Sequence, residues 1–186
     1  MVQLISLWLP ILLSAVFVFV VSSIIHMVIG YHRSDFGKLP DEDGVMDAMR
    51  KFNIAPGDYM MPCSGGPESM KSPEFIEKMK AGPIVVMTVM PSGAPSIAKN
   101  LIQWFLYSIA VSIFAAYIAS RTLRSSANYL DVFRYVGTTA FLGYSMGLLQ
   151  NSIWFGRSWS STLKSVFDGL LYALVTAGTF GWLWPK

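Results

Sequence analysis

Two ionisable side chains, His26 and Asp168, each stand alone in a long apolar stretch: residues 4–30 contain no Lys, Arg, Asp or Glu, and Asp168 is the one charged residue between 165 and 184. An ionised group among apolar neighbours is costly, so each needs a partner or a task. As a task, a buried carboxylate and an imidazole can take up protons, hold an ion or anchor a polar substrate. As a structural matter, Asp168 can pair with Lys164, four residues earlier on one helix face, or with Arg157, and His26 can hydrogen-bond across helices. Both readings stay open for Asp168, with the anchor preferred. Gln150 and Asn151 reach the same level from a third segment, so His26, Gln150, Asn151 and Asp168 form a candidate polar cluster.

Other chemistry is thin. Pro62-Cys63-Ser64-Gly65-Gly66 has the form of a thiol nucleophile beside glycine N–H donors, but a thiolate needs a base. The two histidines both lie at the end of the first apolar segment, and Pro-Gly clusters are ordinary turns. His26 and His32 are six residues apart, about 240° round a continuous helix, so one metal could not take both without unwinding it. No phosphate loop, dinucleotide fingerprint or zinc spacing occurs. The expectation is therefore no cofactor, no metal and no catalysis, with Cys63 as the candidate of an enzyme alternative.

The elements that must position these residues follow from charge and hydropathy. The 186 residues are 53% hydrophobic and 13% charged, against about 25% charged in soluble domains, with mean hydropathy +0.48. Of 14 Lys and Arg, 8 lie between Tyr31 and Lys99, as do 9 of 11 Asp and Glu. This distribution excludes a water-soluble globule, a disordered chain and a nucleic-acid binder. A single cysteine excludes a disulfide scaffold. Four apolar segments, residues 4–30, 101–120, 135–155 and 165–184, are each long enough to cross a bilayer as a helix. The first lacks a basic start and a small-residue cleavage site, so it reads as a retained helix rather than a signal peptide. The fold expected is all-α, a four-helix integral membrane bundle with an extramembrane insert, residues 31–99.

Within the insert, Asp41 opens a helix over 41–52, and Ser72-Pro73 opens another over 72–81. The apolar run 84–90 is too short to cross a bilayer and reads as an interfacial segment in preference to a strand. Basic residues flank the helices almost evenly, Arg33, Lys38, Lys99, Arg157 and Lys164 against Arg121, Arg124, Arg134 and Lys186. The uncharged start of the first helix, succeeded by Arg33 and Lys38, favours the insert inside and both ends of the chain outside.

Small residues mark the expected contacts. Ser108, Ser112 and Ala116 form a seam on the second helix, and Gly143 and Gly147 a GxxxG pair on the third. A short link, residues 156–161, makes the third and fourth helices an antiparallel hairpin. Gly143 and Gly147 are then expected at its contact, with Arg157 reaching headgroups or Asp168.

The chain resembles a bacterial domain-of-unknown-function family of small four-helix integral membrane proteins. The likeness rests on Asn151, Trp154-Phe155-Gly156-Arg157-Ser158-Trp159, Asp168, Tyr172-Ala173-Leu174-Val175, Gly181-Trp182-Leu183-Trp184 and the early Phe36-Gly37-Lys38. It covers about two-thirds of the chain and leaves out residues 39–95. The resemblance implies the four-helix fold and a bacterial inner-membrane location, and it carries no activity. The expected function is a non-catalytic accessory or assembly component, its partners the lipid bilayer and another membrane protein or a second copy. The alternative is a small oligomeric transporter or channel with its polar site at Asp168, Asn151 and His26.

Overall fold

A computed structural model describes residues 2–94 and 96–185; Lys186, counted above for orientation, lies outside them. The chain is mostly helical and divides into two compact units, Met1–Gly37 with Ser96–Lys186, and Lys38–Pro95.

The first unit is a helical bundle. A 3-10 turn, Leu4–Leu7, leads into α1, Trp8–Ser23, and the chain then widens into a π-helical turn, Ile24–Ile29. Gly30 ends it at φ 64°, the left-handed conformation in which a side chain is disfavoured, and its N–H bonds the Ile25 carbonyl at 2.9 Å. A 3-10 turn, Tyr31–Ser34, comes next. Residues 31–37 therefore belong to the bundle, although their charges place them with the insert in the sequence.

The long helix after the insert, Ile97–Thr122, is capped by Ser96. Leu4–Ile29 and Ile97–Thr122 are 26 residues each, long and apolar enough to cross a membrane, about 39 Å at 1.5 Å per residue. They also expose large apolar side chains such as Ile5, Trp8, Ile102 and Phe114.

The third segment is one helix interrupted. Asn128 caps the run Tyr129–Ser145, a 3-10 turn occupies Met146–Leu148, and a short helix, Leu149–Phe155, ends at Gly156. The last helix, Trp159–Trp182, begins three residues later, a tighter link than the six residues expected.

The second unit holds the helices Glu42–Arg50, with Asp41 accepting from the Gly44 N–H, and Pro73–Ala81, with Ser72 accepting from the Phe75 N–H. In chain order the helices are α2 (Glu42–Arg50), α3 (Pro73–Ala81), α4 (Ile97–Thr122), α5 (Tyr129–Ser145), α6 (Leu149–Phe155) and α7 (Trp159–Trp182). All-α fits the chain as a whole, and this unit adds one two-stranded ribbon to it. Strand β1, Gly57–Met61, pairs antiparallel with β2, Val85–Val89, in register Tyr59↔Met87, and Thr88 donates to Asp58 at 2.6 Å. The run expected at an interface is thus a strand, since four of its five residues, Val85, Val86, Thr88 and Val89, are β-branched and suit a pleated ladder once a partner strand exists.

In the bundle α7 packs along α5, while α1 lies against α4 and α7. The interior is built from small residues. Ser108, Ser112, Ala116, Ala140, Ala173 and Ala177 are all buried, and Ser14 and Ser112 bond across α1 and α4 at 3.0 Å. Larger side chains fill the two ends. Val132, Val136 and Phe180 lie with Leu7 and Ala119 at one, and Val18, Val111, Tyr144 and Tyr172 at the other.

The hairpin contact is not where the GxxxG pair puts it. A side chain on Gly147 would meet open space, and one on Gly143 would meet Val111 of α4 at 3.1 Å. The close approach of α7 to α5 is instead at Gly169, where a methyl would collide with Ser145 Oγ, and at Gly137, which faces Ala177. The physical reason is the phase of α5. At about 100° per residue Gly143 lies about 120° round the helix from Gly137, so the face through Gly137, Tyr144 and Ser145 meets α7 while Gly143 meets α4.

Candidate functional site

The site begins with the backbone at the end of α1. A π-helical turn ending in left-handed Gly30 reverses the drift of the helix, so the next residues fold back beside it. His32 consequently stacks on His26, ring centroids 4.8 Å apart and planes parallel, and also packs against Tyr31 at 4.5 Å. The 240° separation expected on a continuous helix does not apply, because the helix does unwind between the two residues. The objection to their sharing a ligand falls with it.

His32 sits between two carboxylates. Its Nδ1 is 2.6 Å from Asp35 Oδ2, and its Nε2 is 2.7 Å from Asp168 Oδ2. Asp35 accepts from His32 Nδ1–H, and at Nε2 the ring and the Asp168 carboxyl share one proton between them. Lys164 completes the charge balance away from Asp168. Its ammonium donates to Asp35 Oδ1 at 2.9 Å, Ser34 Oγ at 2.8 Å and the Tyr31 carbonyl at 3.0 Å. The hydrogen bond from His32 holds the Asp35 carboxyl below its usual range, helped by Lys164 and opposed by burial. A chain of hydrogen-bonded titratable groups thus runs Lys164–Asp35–His32–Asp168, with His26 beside the last member. His26 Nδ1 donates to the Ser22 carbonyl at 2.9 Å, leaving Nε2 toward Asp168 Oδ2, 3.9 Å away. Asp35 and Asp168 side chains are each only 4% exposed, whereas His26 is 49% exposed.

Asp168 retains one unused oxygen. Its Oδ1 is buried and has no hydrogen-bond partner among the described residues; the Tyr144 hydroxyl is in the same condition. Burying such an atom unpaired costs about 1–3 kcal/mol, so its position has to be read with what adjoins it. A cavity of about 490 Å³ opens there, walled by Trp104, Tyr107, Tyr144 and Tyr172, with Ser22, Ser23, Ser165 and His26 at its polar side. Trp104 is held by donating to Ser22 Oγ at 2.9 Å, and Tyr107 by donating to the Gly143 carbonyl at 2.6 Å. The four aromatic rings contact one another with centroids 5.5–6.2 Å apart.

Of the cluster expected from sequence, His26 and Asp168 come together, and Gln150 and Asn151 do not join them. Gln150 is exposed, and Asn151 lies beyond the break, its carbonyl accepting from the Arg157 N–H at 3.2 Å. The Arg157 side chain is exposed, with no bond to Asp168 among the described residues. Lys164 pairs with Asp35 rather than with Asp168. The members missed are His32, Asp35 and the aromatic wall. One signal was available: glycine just past a helix is the usual left-handed terminator, and Gly30 between His26 and His32 turns the second histidine back toward the first. Cys63 is exposed with its Sγ 3.7 Å from the Ser64 carbonyl, a contact that supplies no base.

A metal would find its donors here. One ligand atom each from His26, His32 and Asp168 lies within 4.8 Å of the others. No family model, curated protein or solved structure matches the chain.

Proposed function

We propose that this is a multi-pass membrane protein whose helical bundle binds a small molecule in the cavity beside Asp168, as a transporter or carrier would. The four spans are the segments containing α1, α4, α5 with α6, and α7. The observation that carries the reading is the buried, unpartnered Asp168 Oδ1 at the wall of a 490 Å³ aromatic cavity. Concave, mostly apolar sites with a few fixed polar groups are the usual form of small-molecule sites. The complementary ligand has an apolar body and an N–H or O–H donor directed at Asp168. A bacterial inner-membrane location with the insert inside, and membership of the four-helix family it resembles, belong to the same proposal.

Thiol labelling tests the cavity without knowledge of the ligand. In a Cys63→Ser background, Ser23→Cys and Ser165→Cys line the cavity, and Ser14→Cys, fully buried between α1 and α4, is the control. A small water-soluble methanethiosulfonate should modify the first two at rates near that of native Cys63 and leave the third untouched. Equal protection at all three positions would overturn the reading.

A second reading, the accessory or assembly component, draws on the insert. None of α2, α3, β1 or β2 has a buried residue, and Met60, Met61, Ile76 and Val86 are exposed. A partner protein covering those side chains should be recovered by crosslinking at native expression. A strictly solitary monomer there counts against it.

A further inference from the structure

We propose that His26, His32 and Asp168 are the protein ligands of a first-row divalent transition metal, bound at the polar end of the aromatic cavity. The inference goes beyond small-molecule binding and does not need a ligand to enter the cavity.

Three observations carry it. First, the donor set is two imidazoles and one carboxylate, which suits zinc, iron or manganese. Its ligand atoms lie within 4.8 Å of one another, with His32 Nε2 at 2.7 Å and His26 Nε2 at 3.9 Å from Asp168 Oδ2. Ligands about 2.0–2.1 Å from a tetrahedral metal stand about 3.3 Å apart, a spacing the two distances to Asp168 bracket. Half-exposed His26 has to turn out of its parallel stack on His32 for both nitrogens to meet one ion. Second, the far side of each ring is already anchored. His32 Nδ1–H is held by Asp35, and His26 Nδ1–H by the Ser22 carbonyl. A metal-binding histidine characteristically gives its other N–H to a carboxylate or a backbone carbonyl, which fixes the tautomer and aims the remaining nitrogen. Third, Asp168 Oδ1 is buried without a partner beside the cavity, so the carboxylate has coordinating capacity that His32 leaves unused.

Without metal, the proton shared between His32 Nε2 and Asp168 holds the ligands together. Binding replaces that proton with the metal, and the proton leaves to solvent. Both carboxylates and Lys164 stay in place, and the net charge of the cluster rises by one. Three protein ligands leave a fourth position open, the arrangement of catalytic rather than structural zinc sites.

The test uses the full chain in detergent, carrying Cys63→Ser so that no thiol competes, stripped with a chelator and then dialysed against Zn²⁺. One zinc per chain is expected, and Co²⁺ in its place should give the intense visible absorption of a tetrahedral site. His26→Ala removes a half-exposed ligand and leaves the His32–Asp168 contact intact. It should abolish saturable binding while the metal-free protein melts as the parent does. Asp35→Asn keeps all three ligands but loosens the hold on His32, and should weaken binding about 10–100-fold. Absence of stoichiometric zinc in the parent, or equal affinity in the parent and His26→Ala, would overturn the proposal. Neither result bears on whether Ser23→Cys and Ser165→Cys react, so this site and the cavity reading fail separately.

Discussion

Gly30 does more to build the site than its lack of a side chain suggests. At φ 64° it lets the chain leave the π turn and fold back, and every later contact of His32 and Asp35 depends on that reversal. An alanine here would hold a Cβ in the left-handed region, costing about 1–2 kcal/mol, with Arg33 Nε as its nearest neighbour at 3.0 Å. Because the arginine side chain can move, the backbone cost dominates. Gly30→Ala should therefore lower the melting temperature in detergent by an amount matching that energy, and weaken zinc binding with the three ligands still present. An unchanged melt together with unchanged binding would mean that the reversal is held by the hydrogen-bonded chain from Lys164 to Asp168 alone.

Element packing in the bundle turns on backbone approach rather than on large side chains. Gly169 lies against Tyr144 and Ser145, where α7 meets α5, and a leucine there would have to displace backbone as well as the Ser145 side chain. Overpacking of this kind costs about 1–3 kcal/mol. Gly169→Leu should destabilise the protein by at least that, with Asp168 beside it pushed out of register. Gly147→Leu, by contrast, points into open space and should stay within about 0.5 kcal/mol of the parent. Thermal or denaturant unfolding of the two variants in the same detergent distinguishes this arrangement from the GxxxG contact expected from sequence, which reverses the order. The reason the pattern misled is that GxxxG spacing puts two glycines on one face without saying which neighbour that face meets, and the Gly143 face of α5 meets α4 rather than α7.

At the scale of the whole molecule, the candidate site draws on one unit. His26, His32, Asp35, Lys164, Asp168 and the aromatic wall all fall within residues 1–37 and 96–186, the unit that excludes Lys38–Pro95. The insert's own helices are held by local caps and its strands by each other, with no buried residue in any of them. Replacing residues 38–95 with a flexible Gly/Ser linker should leave a bundle that melts cooperatively and still labels at Ser23→Cys. Loss of both properties would show that the insert contributes to the bundle's stability, and would raise the standing of the assembly reading.

What the sequence by itself determined is what short-range physics determines. Unbroken apolar stretches dictate long helices with apolar exteriors. Asp41 and Ser72 end up as caps because a side-chain oxygen three residues before an orphan N–H needs no tertiary help. His26 and Asp168 stand out because a polar group among apolar residues is costly wherever it lies. The tertiary structure alone decided which groups answer them. His32 reaches Asp168 across 136 positions of sequence, and Asp35 reaches Lys164 across 129, only because a π turn and one left-handed glycine redirect the chain. That departure is stabilised by the hydrogen-bonded chain it creates. The pairing of β1 with β2 and the phase of α7 on α5 have the same character. Each is a choice among locally equivalent conformations, made by contacts that exist only after distant segments meet.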